Sequence, residues 1–206
     1  STVIDRYKDN LALLEDIYLK YLDLHGDEDQ DGEFLAELFC RDPDFLYCYL
    51  DKALDHMGTS FYAHNSWASR LHFVWDNETF QSYPELISDY LFEKTGEEEW
   101  RYSAIISQLL LCKNEDSDIV AKRQNAWILH TIEMHAAEPT RMHYLFGAIS
   151  ESSESSADRR RIALEKFLKL NDDYALFEKL PLESPSIGGI GSMIPYIQAR
   201  IDYFLS

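Results

Sequence analysis

The chain has 206 residues, of which 46% are hydrophobic and 14% are aromatic, so it can bury a substantial core. Its eight glycines and six prolines are too few for the tight turns of an all-β fold. The formal net charge is −18 and is uneven, with −15 in residues 1–103 and −3 in residues 104–206. This charge repels a phosphate backbone, so we do not expect nucleic acid as a partner. It favours a basic protein partner of unknown identity, or simply keeps the protein in solution.

Three cysteines, Cys40, Cys48 and Cys112, are far apart in the sequence and form no CxxC pair. They therefore predict neither a disulfide framework nor a zinc site, and each is expected to pack as a small apolar side chain in a reducing compartment. No apolar run is long enough to span a membrane, and the N-terminal stretch lacks a signal-peptide core. We predict a cytoplasmic location.

An amphipathic pattern breaks off without a cap at 201–206, so we also expect a fragment of a longer protein.

Apolar residues recur at three- and four-residue steps along most of the chain, which is the spacing of amphipathic helices. After Asp42-Pro43 the chain is expected to restart as a new helix with Asp42 as its cap, because the residue before proline is pushed out of helical geometry. Asp76-Asn77 is predicted to break another helix. The predicted helical stretches are, in chain order, 3–24, 34–39, 45–54, 67–74, 86–92, 100–111, 118–132, 142–149 and 162–168.

The spacing of these helices predicts a repeat. Four apolar pairs close the first helix of successive pairs and lie 35, 37 and 35 residues apart: Leu38-Phe39, Phe73-Val74, Leu110-Leu111 and Leu145-Phe146. Helix–turn–helix units of this period are typical of helical repeats. We therefore predict one all-α domain over 1–206, an α-solenoid of HEAT-like hairpins; the alternative is an irregular helical bundle. The hairpins are predicted at 34–57, 66–95, 98–136 and 138–170, followed by a distinct C-terminal element at 171–206.

An acidic loop offers the strongest candidate for a metal site. Asp27, Asp29 and Asp31 occupy positions 1, 3 and 5 of an EF-hand pattern, and Gly32 occupies position 6, where the calcium loop turns sharply. The twelfth position should be a glutamate that clamps the ion, but Leu38 stands there. The three aspartates are therefore a candidate cation site. The alternative is an acidic turn that caps the next helix.

The remaining constellations are weaker. His130 and Glu133 lie three apart on one helical face, but no Glu-x-x-His pair elsewhere could complete a metal site. Gly188–Ser192 lacks the lysine of a phosphate-binding loop, and no nucleophile elbow occurs. The basic cluster is interpreted as a solvated helix face; its members are Arg159, Arg160, Arg161, Lys166 and Lys169. We therefore predict no catalytic residue and no cofactor.

Two stretches near the end of the chain carry a resemblance. Residues 171–185, NDDYALFEKLPLESP, and 191–195, GSMIP, resemble the C-terminal helical tails of large bacterial STAND-type nucleotide-binding proteins. The segments 142–146, MHYLF, and 159–168, RRRIALEKFL, look similar to the same tails. The resemblance implies a helical sensor or scaffold region that is separated from its ATPase. The chain has no Walker motif, so the resemblance transfers no ATPase residue.

Together these patterns predict a non-catalytic protein-interaction, sensor or scaffold module. A helical metal-binding protein or enzyme is one alternative. A calcium-responsive module that uses the acidic loop 27–33 is another. The 13 tyrosines and four tryptophans either fill the helical stack or line a binding face, since tyrosine and tryptophan are enriched in interface hot spots.

Overall fold

The computed structural model describes residues 4, 8–23, 29, 32–57, 66–95, 100–111, 118–151 and 156–170. Every regular element in these residues is a helix, and they contain no strand. The prediction of an all-α protein is therefore confirmed. The predicted C-terminal element 171–206 and the stretches 171–185 and 191–195 lie outside the described residues.

The α-helices are numbered here in chain order. Short 3₁₀ segments precede or interrupt them at Lys8–Asn10, Arg70–His72 and Glu78–Phe80. The helices are α1 (Leu11–Asp23), α2 (Glu33–Arg41), α3 (Phe45–Met57), α4 (Ser66–Ser69), α5 (Phe73–Asp76), α6 (Tyr83–Thr95), α7 (Trp100–Leu110), α8 (Asp118–His135), α9 (Pro139–Glu151) and α10 (Ser156–Leu170).

The predicted cap at Asp42 and the predicted break at Asp76-Asn77 are both present. The backbone carbonyl of Asp42 accepts a hydrogen bond from the N–H of Phe45, and its side chain accepts one from the N–H of Asp44, at the start of α3. The side chain of Asn77 accepts from the N–H of Thr79, which starts a new 3₁₀ turn after α5. Short polar side chains of this kind satisfy N–H groups that the helix itself leaves unpaired. Both breaks in the sequence pattern are therefore real helix boundaries.

The chain divides into two compact units, Ser1–Trp127 and Ile128–Ser206, and the boundary falls within α8. In the first unit α3 packs against α1, α2 and α6, and α7 packs against α4 and α6. In the second unit α9 packs against α10. The predicted hairpins 34–57 and 138–170 thus contain helices that contact each other. The wider HEAT-like solenoid over 1–206 stays a prediction.

Aromatic rings form the core of the first unit. The Phe39 ring lies 5.7–6.1 Å, centroid to centroid, from four other rings, and Phe39 itself is buried. Edge-to-face and offset ring pairs at such distances stabilise a core beyond the area that they bury. These four rings come from α3, α5 and α6, so one side chain of α2 joins three other helices: Phe45, Tyr49, Phe73 and Tyr83.

The described core of the second unit is mostly aliphatic. Phe167 of α10 is fully buried, and its ring meets that of Phe146 edge-on at 5.9 Å. Met142, Leu145 and Ile149 of α9 are also fully buried. Their spacing of three and four residues is the apolar stripe that the sequence pattern predicts.

The prediction that the cysteines are core residues is wrong for two of them. Cys40 on α2 and Cys48 on α3 are both exposed thiols. Cys40 follows the buried Phe39 by one residue, and Cys48 precedes the buried Tyr49 by one residue. A step of one residue rotates a side chain by about 100° around a helix, which turns both thiols towards solvent. Cys112 lies outside the described residues.

No helix in the part of the chain that the structure describes is long and apolar enough to cross a membrane.

Replacement of Phe39 by alanine tests the importance of the aromatic core. Phe39→Ala should lower the free energy of unfolding by about 3–5 kcal/mol, because it removes a buried ring and leaves a cavity among its ring neighbours. Phe34→Ala on the same helix is the matched control, since Phe34 is partly exposed and should cost less than half as much. Urea denaturation followed by circular dichroism would measure both. Equal losses would contradict a core centred on Phe39.

Candidate functional site

The carboxylate of Asp29 caps the start of α2. One of its oxygens accepts hydrogen bonds from the Tyr18 hydroxyl at 2.6 Å and the Leu35 N–H at 3.2 Å, and the other accepts from the Phe34 N–H at 3.0 Å. These two N–H groups belong to the first turn of α2, where no backbone acceptor exists and where negative charge suits the helix dipole. Asp29 therefore holds α2 and, through Tyr18, ties it to α1.

Arg70 meets the same turn from the interior. Its side chain is only 4% exposed, and its Nε donates to the backbone carbonyl of Asp29 at 3.1 Å. The Tyr49 hydroxyl lies close by and donates to the carbonyl of Trp67 at 2.6 Å. Burial raises the pKa of both Tyr18 and Tyr49 far above the ordinary tyrosine value, so both stay neutral donors. We call Tyr18, Asp29, Gly32 and Arg70 the Asp29 junction.

Gly32 is required where the junction is tightest. Its φ is +69°, in the left-handed region that side chains rarely adopt. A Cβ at this position would lie 2.0 Å from the carbonyl oxygen of Arg70 and 2.9 Å from the ring of Phe73. The glycine that the sequence pattern assigned to a calcium loop thus allows two backbone segments to touch.

The predicted cation site is only partly described. Asp27 and Asp31 lie outside the described residues, while both carboxylate oxygens of Asp29 accept hydrogen bonds from the protein. Leu38, at the position where a calcium loop needs glutamate, is fully buried in the core. Among the described side chains, no group of three or more His, Cys, Asp or Glu could hold a metal ion. The capping alternative describes Asp29 correctly, and the site formed by Asp27, Asp29 and Asp31 stays a prediction.

Several charged side chains in the described part of the second unit form ion pairs with one another. Glu133 accepts a hydrogen bond from Lys166 at 2.9 Å, and this contact and its charge lower the pKa of the Glu133 carboxyl. Arg161 pairs with Glu165 at 2.9 Å. Arg159 is buried, so the prediction that the whole basic cluster is a solvated face is wrong at this residue. The contact between Lys166 and Glu133 joins α10 to α8 and occupies the carboxylate that His130 would need as a second metal ligand.

Exposed residues of α3 and α6 form one surface in the described part of the first unit. The two helices pack against each other, and the rings of Tyr47 and Tyr90 meet across them at 4.9 Å between centroids. At about 100° per residue, the outward positions of α6 from Glu85 to Glu93 span an arc of about 140°. We call this surface the acidic face, and its members are Tyr47, Cys48, Asp51 and Asp55 of α3 and Glu85, Leu86, Asp89, Tyr90 and Glu93 of α6.

The acidic face combines charge with apolar contact area. It carries five carboxylates, and all five of these residues are exposed. Leu86 is 39% exposed, and Tyr90 lies one helical turn after it on α6. The half-buried rings of Tyr47 and Tyr90 meet between the two helices. Such a mixture can attract a cationic surface from a distance and then bury apolar area against it.

A small cluster at the centre of the acidic face binds a cation that belongs to the chain itself. The Tyr90 hydroxyl donates to Asp51 Oδ1 at 2.7 Å. The ammonium of Lys94 lies 3.6 Å from the same oxygen and 5.1 Å from the centre of the Tyr90 ring. Hydrogen bonding to Tyr90 and the charge of Asp51 raise the pKa of Lys94, so its ammonium stays charged.

None of these nine residues was predicted from the sequence to form a binding surface. The spacing of Glu85, Asp89 and Glu93 at four-residue steps is a signal that could have indicated one acidic helix edge. No sequence signal indicates that Asp51 of α3 lies beside Tyr90 of α6, because that contact depends on how the two helices pack.

A second carboxylate contact lies at the turn between α2 and α3. Burial, the charge of Asp42 and a hydrogen bond with the Asp42 side chain raise the pKa of Glu15 above its ordinary value of 4.5. Glu15 projects from α1, so a proton shared by the two carboxyl groups joins α1 to the turn, whereas two ionised carboxylates repel each other at higher pH. The folded state therefore binds a proton at Glu15 more tightly than the unfolded chain does.

Comparison with known proteins returned no match to a family model, to a curated protein or to a solved structure.

Replacement of Asp29 separates the capping role from the cation role. Asp29→Ala should lower the free energy of unfolding by about 1–2 kcal/mol, because two N–H groups of α2 lose their acceptor. We expect the same loss with and without calcium, measured by thermal melts. Asp9→Ala, which removes an exposed carboxylate, is the control. Calcium that raised the melting temperature of the unsubstituted chain but not of the Asp29 variant would instead support the cation site.

The Glu15–Asp42 pair predicts a specific pH dependence. Because the pKa of Glu15 is raised in the folded state, ionisation of Glu15 destabilises the fold as the pH rises through that value. Glu15→Gln keeps a donor towards Asp42 and should raise the free energy of unfolding at about pH 7, with the gain shrinking as the pH falls to about 4. Urea titrations across this range, with Glu33→Gln as a charge control, measure the effect. A gain that does not vary with pH would contradict the pairing.

Proposed function

We propose that this chain is a non-catalytic protein-interaction module and that the acidic face binds its partner. The observation that carries the proposal is the continuous exposed arc on α6 and the adjoining surface of α3, with five carboxylates around exposed apolar and aromatic groups. A partner with complementary positive charge would be steered to this surface and held there by contact with Leu86, Tyr47 and Tyr90.

The mixture of residue types favours a protein partner over other anion- or cation-binding roles. Tyrosine is enriched at protein interfaces because its ring gives contact area and its hydroxyl gives a hydrogen bond. Nucleic acid does not fit a surface that repels phosphate. The carboxylates follow the outer side of two packed helices, an arrangement that presents charge along a line rather than gathering it around one ion.

The wider architecture enters the same proposal. The packing of α2 on α3 and of α9 on α10 supports hairpin units, and we propose that they belong to a HEAT-like array. The resemblance of 142–146 and 159–168 to the helical tails of STAND-type proteins suggests a sensor or scaffold role for that array, in the cytoplasm. In such an array, an exposed helix face is the usual place for a partner to bind.

Removal of charge from the acidic face tests the proposal. The probe is a fluorescent helical peptide with arginine along one side and leucine along the other. The triple variant Glu85→Gln, Asp89→Asn, Glu93→Gln should weaken binding by about 10- to 100-fold, since each exposed charge contributes up to about 1 kcal/mol. The slope of log Kd against log salt should fall as well. Fluorescence anisotropy at several salt concentrations measures both quantities.

A charge-matched control uses three exposed acids elsewhere on the first unit. Asp9→Asn, Glu33→Gln, Asp76→Asn changes the net charge equally and should alter the affinity by no more than about twofold, because salt screens distant charges. Equal weakening by both triple variants, or the absence of any binding to the unsubstituted chain, would rule out the acidic face as the binding surface.

A further inference from the structure

The cluster of Asp51, Tyr90 and Lys94 shows what kind of group the acidic face accommodates at its centre. A carboxylate and the face of an aromatic ring converge there on one ammonium group. A cation beside an anion and over a ring is favoured by Coulomb attraction and by the ring quadrupole together. We call Asp51 and Tyr90 the cation seat.

We propose that the cation seat receives an arginine side chain from a basic helical segment of a partner protein, and that Lys94 occupies the seat in the free chain as an internal competitor. This inference rests on the proposed function of the acidic face. The partner segment displaces the Lys94 ammonium towards solvent when its own guanidinium enters, and its neighbouring apolar side chains contact Leu86.

The geometry of the Lys94 contact explains why a partner can replace it. The ammonium lies 3.6 Å from Asp51 Oδ1, beyond a short charge-assisted hydrogen bond, and the two side chains are 47% and 50% exposed. An ion pair this exposed contributes little to stability and is readily exchanged for another. Lys94 is also four residues after Tyr90 on α6, so its reach to the seat depends only on its own flexible stem.

Arginine suits the seat better than lysine does. A guanidinium is planar, so it can lie on an aromatic ring and also donate two parallel hydrogen bonds to one carboxylate. An ammonium is a compact point charge, so it can neither lie flat on the ring nor form the two parallel hydrogen bonds. The hydroxyl of Tyr90 already orients Asp51 through their 2.7 Å hydrogen bond, so the carboxylate is held in place before the partner arrives.

The residues next to the cation seat determine which side chains the partner needs beside its arginine. Leu86 lies one turn before Tyr90 on α6, and the ring of Tyr47 on α3 contacts the ring of Tyr90. A bound segment therefore needs an apolar residue about one helical turn from the arginine, since i and i+4 positions share a face. The carboxylates of Asp89 and Glu93 favour further positive charge at the edge of the segment.

Variants of the seat test this inference with the same arginine–leucine peptide. Lys94→Gln should tighten binding by about 3- to 10-fold, because it removes the competitor. Tyr90→Leu should weaken binding by about 5-fold or more. Tyr90→Phe keeps the ring, so its affinity should lie between those of the unsubstituted chain and of Tyr90→Leu. Replacing every arginine of the peptide with lysine should weaken binding to the unsubstituted chain. Far-ultraviolet circular dichroism and thermal melts establish that each variant is folded.

Lys52→Gln is the matched control, since it removes one positive charge from α3 at the border of the acidic face. Equal tightening by Lys52→Gln and Lys94→Gln would mean that only net charge matters and would overturn the seat. Equal affinity for the arginine and lysine peptides would overturn the preference for a guanidinium.

The two proposals fail in distinguishable ways. If the triple charge variant loses affinity but Lys94→Gln and Tyr90→Leu bind as the unsubstituted chain does, the acidic face stands and the seat is wrong. If the unsubstituted chain does not bind the peptide at all, both proposals are wrong. If the chain instead self-associates in sedimentation and Tyr90→Leu abolishes this, the face belongs to a second copy of the chain, and the proposed partner is wrong.

Discussion

The contact between Asp29 and Arg70 is the constraint on which the first unit depends. A buried guanidinium needs an acceptor, and the backbone carbonyl of Asp29 supplies one at 3.1 Å. The same aspartate uses its side chain to start α2, so one residue meets the needs of both a buried charge and a helix end. Gly32 makes this possible because only a residue without a Cβ lets the two backbones approach. The position of α2 relative to the segment 66–76 follows.

That position determines the rest of the core. With α2 held at its first turn, Phe39 at its far end projects among rings from three other helices. The buried side of α3 then carries Tyr49, and the buried side of α6 carries Tyr83 and Ile87. The opposite sides of α3 and α6 must lie outside and next to each other. The acidic face is therefore a consequence of how the aromatic core is packed.

The negative charge of the acidic face destabilises the free chain through electrostatic repulsion. Five carboxylates on two adjacent helices repel one another, and Lys94 offsets part of this repulsion by its contact with Asp51. The basic segment proposed as the partner would offset more of it, and its binding would then relieve part of this repulsion. Negative charge is also concentrated at the Glu15–Asp42 pair, where burial and the charge of Asp42 raise the pKa of the Glu15 carboxyl. A basic partner is thus consistent with the electrostatics of the first unit as a whole.

The sequence by itself determined the helical class, most of the helix positions and the breaks at Asp42 and Asn77, because these depend on periodicity and on short-range capping. It could not decide what Asp29 does, because the pattern that suggests a calcium loop and the pattern that caps a helix share the same letters. Only the structure shows that the Asp29 carboxylate accepts hydrogen bonds from Phe34, Leu35 and Tyr18. The exposure of Cys40 and Cys48 was also decided by packing, because the sides of α2 and α3 that carry Phe39 and Tyr49 are the buried ones. The acidic face needed Asp51 and Tyr90 to meet across two helices, and only packing of the core brings together residues 39 positions apart.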